Sequence, residues 1–253
     1  VDCAGQAFNV YAGPTATEDL YTKLVIADDV TINADYGICL FPAPGSKAGY
    51  SSAIDVYGNI ASGGIFVSGN LGNDADIAES MASSVKLPTV HIHEGAVVNE
   101  GSEEQGISMN GLASVTVDGG TVSGREAIGV KRGTLAVNGG TFTSDGEYVD
   151  PTTANNNGTE ATGATISITG TYNYAGAISV TLKDGSFTSQ NAPAVYLGHS
   201  LKDGSLVAYT NGVTLDIRGG TFTSPASVTP VYVADKAEGD AGSYTKNVIS
   251  GGT

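Results

Sequence analysis

The stretch GTLAVNGGTFTS, residues 133–144, decides how this chain is read. Leu135 and Val137 alternate with smaller neighbours, two glycines follow, and Phe142 then sits between Thr141 and Thr143. Side chains alternate along a strand, so Leu135 and Val137 share one face and Phe142 faces inward from the next strand. The glycine pair marks the bend, where a side chain would force an unfavourable backbone. The unit recurs as GGTVSG at 119–124, DGSFTS at 184–189 and GGTFTS at 219–224, and GGT at 251–253 begins another copy. An apolar pair precedes the reference residue by five and seven positions: Val117 and Val115 before Val122, Leu182 and Val180 before Phe187, Ile217 and Leu215 before Phe222. The same offsets place Ile92 and Val90 before Val97.

A second strand type lies between copies: GICL at 37–40, GIFV at 64–67, GISM at 106–109, AIGV at 127–130, AVYL at 194–197 and PVYV at 230–233. Short strands and glycine bends that repeat in this way predict a solenoid, each unit burying its apolar face only on its neighbours. The expected fold is all-β, a single right-handed parallel β-helix with an N-terminal cap and edge loops. Residues 1–29 carry no repeat and form the expected cap, and residues 30–253 form the helix. Polar or irregular insertions are expected near 73–86, 144–162, 198–212 and 234–246. In 73–86, Ile77, Met81 and Val85 have the spacing of a short helix or a turn packed on the side.

The chain has 253 residues, enough for one extended domain. Its 36 glycines and 15% charged residues suit many tight turns with a surface rich in neutral polar groups. The formal charge of −15 repels phosphate backbones, so nucleic acid is not an expected partner. No apolar run is long enough to cross a bilayer, so membrane insertion is not expected either. The chain begins at Val1 and stops within a repeat, which reads as part of a longer secreted protein with further domains. Cys3 and Cys39 are the expected disulfide, which suits an oxidising compartment.

The repeated Gly-Gly-Thr-Phe units and the strands between them resemble right-handed parallel β-helix proteins, especially bacterial surface and adhesin-like proteins. The resemblance covers residues 30–253 and implies an extracellular or cell-surface module. The fold hosts lyases, hydrolases, adhesins and inert stalks, so activity must be argued from a site. The expectation is a non-catalytic module that binds carbohydrate or a host ligand. Its rival is a polysaccharide lyase or glycoside hydrolase, and a structural stalk is the third reading.

Three groups of residues carry candidate chemistry. Tyr196 and Tyr232 occupy the outward position of the second strand type, in a column that runs Cys39, Phe66, Ser108, Gly129, Tyr196, Tyr232. With Tyr209 they offer aromatic faces to a sugar, or else a structural stack. His91 and His93 in VHIHE at 90–94 share one strand face, with Asp118 expected one repeat away, which is a candidate metal site. Otherwise no cofactor is expected, except Ca²⁺ at Asn73, Asp74, Asp76 and Glu79. The acids appear scattered rather than converged on one groove, and a salt bridge is expected where Arg125 and Glu126 adjoin Glu103 and Glu104.

Overall fold

A computed structural model of the chain describes residues 1–11, 21–41, 51–67, 88–100, 105–149, 154–155, 158–159, 161–170, 177–202, 205–207, 212–234 and 244–253. Among them all regular structure is strand. The fold is all-β and built on long parallel sheets, one of 8 strands and one of 14.

Three parallel ladders explain the repeat. In ladder I, Tyr21–Ile26, Ser51–Val56, Thr89–Ile92, Ser114–Val117, Gly133–Val137, Ile178–Leu182, Val213–Ile217 and Tyr244–Ile249 lie side by side. Ladder II holds the GGTF-type strands, including Val97–Asn99, Thr121–Gly124, Thr141–Ser144, Ser186–Ser189 and Thr221–Thr223. Ladder III holds the second type, from Ile65–Val67 and Gln105–Met109 through Glu126–Val130 and Ile166–Ile168 to Val195–Leu197 and Val231–Val233. The long strand Thr31–Phe41 joins ladders II and III, pairing with Asn59–Ile60 at its start and Ile65–Val67 near its end. One pass of the chain visits the ladders in turn. Ser114–Val117 leads to Thr121–Gly124, then Glu126–Val130, and Gly133–Val137 returns beside Ser114–Val117.

Each ladder contributes inward columns. Val90, Val115, Leu135, Val180 and Leu215 stack in register along ladder I, with Ile92, Val117, Val137, Leu182 and Ile217 beside them, all buried. Ladder II stacks Val98, Val122, Phe142 and Phe187, also buried, and Phe222 at the partly covered end. The Phe142 and Phe187 rings stack at 4.8 Å, and Phe187 and Phe222 at 5.0 Å. Each core position thus touches the equivalent position one pass away.

The second glycine of each copy has a left-handed backbone: Gly120 φ 81°, Gly140 114°, Gly185 130°, Gly220 104° and Gly252 107°. A side chain is strained there, which is why the bend is written with glycine. One expected inward residue moves by a position. Val98, not Val97, is buried and pairs with Val122, because the turn at 93–96 carries one residue more than the Asp118-Gly119-Gly120 bend.

Residues 1–29, expected as a cap, supply the strands Asp2–Tyr11 and Tyr21–Ile26, which pair with Thr31–Phe41 and Ser51–Val56. Of the expected insertions, 73–86 lies outside the described residues. Within 144–162, Ala154–Asn155 and Gly158–Thr159 form an antiparallel pair, as do Ser200–Lys202 and Ser205–Val207 within 198–212. Most of 234–246 lies outside the described residues, and its end enters Tyr244–Ile249.

The ends of 144–162 are not exposed loop. Ser144 and Thr162 are buried, and the Ser144 hydroxyl donates to the Gly163 carbonyl at 2.8 Å. Glu126, 1% exposed, lies in a strand, and Glu103 and Glu104, expected to form a salt bridge beside Arg125 and Glu126, lie outside the described residues. The Thr162 amide and hydroxyl donate to its Oε1 at 2.5 and 2.9 Å, and the Gln105 amide donates to Oε2. This polar knot anchors the base of the insertion to ladder III, satisfying groups that burial would otherwise penalise.

The expected disulfide is not formed: Cys3 and Cys39 are both free thiols. The register sets Cys3 beside Ala34 and Cys39 beside Asn9, several residues apart along the same strand pair. Cys3 packs against the core, whereas Cys39 lies on the outer face of its strand. A disulfide needs Cα atoms within about 7 Å.

Candidate functional site

The outer face of ladder I carries a dense polar cluster. Val90 and Ile92 point inward, so His91 and His93 point out. Asp55 pairs with His91 in the register, and Asp118 follows Val117, the partner of Ile92. His91 lies between two carboxylates: its Nε2 is 2.6 Å from Asp118 Oδ2 and its Nδ1 is 3.7 Å from Asp55 Oδ1. His93 Nε2 is 3.1 Å from the same Asp55 oxygen. The Lys23 ammonium pairs with Asp55 Oδ2, and the Asn138 amide donates to Asp118 Oδ1 at 2.6 Å. The Tyr57 ring stacks on His93 at 3.8 Å and 8°, and the two imidazoles lie 3.8 Å apart. An open depression bordered by Tyr57, His93, Glu94 and Asp118 adjoins the cluster.

His91, His93 and Asp118 therefore come together as the sequence predicts. Asp55 and Lys23 join them and were not anticipated. The signal was available: Ile54-Asp55-Val56 places Asp55 between two inward residues, as His91 lies between Val90 and Ile92. The acids are not all scattered, since Asp55 and Asp118 converge on one imidazole.

Burial pushes the Asp55 carboxyl upward, but hydrogen bonds and charge from Lys23 and His93 outweigh it and leave the group below its ordinary value. Hydrogen bonds from Asn138 and His91 hold Asp118 low as well. Both folded values lie below the unfolded 3.8, so each carboxylate stabilises the fold above that pH. The contribution is lost as pH falls through the lower folded values. The expected result is a melting temperature that drops on acidification below about pH 4, with a shallower drop in Asp118→Asn. Thermal melts between about pH 6 and 2.5 check this, and parallel curves for the two proteins would contradict it.

Ladder III offers a second feature. The predicted outward column is in register, Cys39 beside Phe66, Phe66 beside Ser108, and Ser108 beside Gly129, with Ser167 inserted before Tyr196 and Tyr232. At its Tyr end the rings stack at 5.1 Å and 9°, with Tyr148 edge-on to Tyr196 at 6.3 Å. Tyr196 is only 2% exposed, so its faces are covered by protein. Tyr209 lies outside the described residues.

The other end of this column opens into a cleft lined by Gln6, Tyr36, Phe66, Glu100, Gln105 and Ser108. Tyr36, 65% exposed, and Cys39, whose thiol burial pushes up, both line it. Two amides, a carboxylate, a hydroxyl and two aromatic rings thus share one concave surface. In comparisons with protein-family models, curated proteins and solved structures, nothing matches this chain.

Proposed function

We propose that the three ladders are the faces of one right-handed parallel β-helix, and that it serves as a non-catalytic, adhesin-like module at a cell surface or outside the cell. The visiting order I, II, III and the in-register core columns support the coiled reading. Right-handedness follows from the strong preference of parallel crossovers for that hand. The resemblance of the GGTF repeats to bacterial surface proteins supports the location.

Carbohydrate is the ligand class the module suits, and the observation that carries this is the cleft on ladder III. Amides and hydroxyls can donate to and accept from sugar hydroxyls, a carboxylate accepts, and Tyr36 and Phe66 offer apolar faces to a pyranose ring. The tyrosine pair at the far end is a stacked brace, because Tyr196 has no free face. A glycan array, with parallel assays for new reducing ends or unsaturated products, tests the reading. Binding without turnover is expected, lost in Phe66→Ala and Tyr36→Ala and kept in Tyr196→Phe.

One observation favours a second reading, a polysaccharide lyase or glycoside hydrolase. Asp55, Asp118 and the two histidines converge beside an open depression, and paired carboxylates can act as acid and base. Turnover abolished by Asp55→Asn would establish it in place of the first. Neither binding nor turnover would leave the stalk reading.

A further inference from the structure

We propose that Asp55, His91 and His93 hold a divalent transition-metal ion of the zinc type, with one coordination position left open toward the depression beside Tyr57 and Glu94. One ligand atom from each of the three residues can be chosen so that all lie within 4.8 Å of one another. Asp55 Oδ1 is 3.1 Å from His93 Nε2 and 3.7 Å from His91 Nδ1. A tetrahedral ion with bonds of about 2.0–2.1 Å spaces neighbouring ligand atoms by about 3.3 Å, between those two distances. Small side-chain rotations complete the site: Asp55 and His91 sit on adjacent paired strands, and His93, just past the end of the second strand, has its amide bonded to the Val56 carbonyl at 3.0 Å.

The donor set selects the ion class. Two imidazoles and one carboxylate suit zinc, cobalt, nickel or copper, whereas calcium and magnesium take oxygen ligands. The outer contacts have the form that metal-bound histidines require. His91 offers Nδ1 to the ion and turns Nε2 to Asp118, a carboxylate that fixes the ring and its tautomer. Asn138 in turn holds Asp118. Tyr57, stacked on His93, fixes the plane of the second imidazole. On binding, the ion takes the place of the proton between His93 Nε2 and Asp55 Oδ1, and the neutral imidazole then carries its one proton on Nδ1.

Lys23 opposes the ion. Its ammonium pairs with Asp55 Oδ2, the carboxylate oxygen not offered to the metal. With 41% of its side chain exposed, it can swing into water when a dication arrives. The cost of that displacement makes affinity conditional on Lys23, which a merely structural cluster of hydrogen bonds would not show.

The test is a Co²⁺ titration of the chelator-stripped chain, followed by visible d–d absorption and by back-titration with Zn²⁺. One saturable band is expected, displaced by Zn²⁺ and untouched by Ca²⁺. It disappears in the double variant His91→Ala/His93→Ala. Asp118→Asn weakens binding by about 10–100-fold, and Lys23→Gln tightens it several-fold. Far-UV circular dichroism establishes that each variant keeps its strands. No saturable band, or a band that survives loss of both histidines, overturns the proposal. Should the double variant not fold, Lys23→Gln decides alone: unchanged or weaker Co²⁺ affinity overturns it. The result is independent of glycan binding, which uses another face.

Discussion

Phe187→Ala is expected to lower the free energy of unfolding by about 3–5 kcal/mol, among the largest losses a single truncation can cause. Phe187 is fully buried and stacks on Phe142 at 4.8 Å and on Phe222 at 5.0 Å. Truncation removes the transfer energy of one ring and both of its stacking partners, and leaves a cavity between two rings that ladder hydrogen bonds hold in place. The neighbouring strands cannot close in, because parallel strands keep a spacing of about 4.8 Å. Phe222→Ala should cost less, since that ring has a single Phe neighbour and is only partly buried. Denaturant unfolding of the two variants checks the order. Equal losses, or a loss below about 1 kcal/mol for Phe187→Ala, would mean the column does not carry the core.

Gly120→Ala and Gly95→Ala form the second comparison, and they differ only in space. Both glycines have the same left-handed backbone, φ 81° and 82°, so an alanine pays the same conformational strain of about 1–2 kcal/mol at each. A Cβ at Gly95 meets nothing within 4 Å. At Gly120 it would lie 2.4 Å from the Ala96 carbonyl oxygen, one pass earlier. That oxygen accepts the Thr121 amide at 2.8 Å, so it cannot retreat without breaking a ladder bond. Gly120→Ala should therefore exceed Gly95→Ala by about 2 kcal/mol or more. Melting curves of the two variants would decide it, and similar losses would mean that neighbouring passes are less closely stacked than the backbone shows.

Much of this was legible without coordinates. Inward residues at fixed offsets from the GGTF phenylalanine identified the core columns of ladders I and II, because strand alternation and parallel stacking are both local rules. The outward column from Cys39 to Tyr232 was legible for the same reason, and so was the approach of Asp118 to the His91 strand face. The misses lie where spacing changes. One extra residue in the turn at 93–96 moved the inward position from Val97 to Val98. A long gap in the repeat before residue 88 hid the kinship of Ile54-Asp55-Val56 with Val90-His91-Ile92, and with it the place of Asp55 beside the two histidines. The polar knot around Glu126 was legible only in part: the repeat aligns Gln105 with Glu126, but Thr162 reaches Glu126 from an insertion outside the repeat.

By itself, then, the sequence determined the strand type, the direction of each side chain along a strand, and the places where only glycine can turn. Those depend on a residue and its immediate neighbours. Tertiary structure decided which strands outside the repeat lie side by side, and in what register. Register converts a two-residue histidine pair into a cluster of Asp55, His91, His93 and Asp118, and separates Cys3 from Cys39 despite their presence on paired strands. It also buries Tyr196 while leaving Tyr36 exposed in the lining of a cleft. Contacts between passes depend on the length of every intervening loop, and a shift of one residue would turn each of these groups to the opposite face.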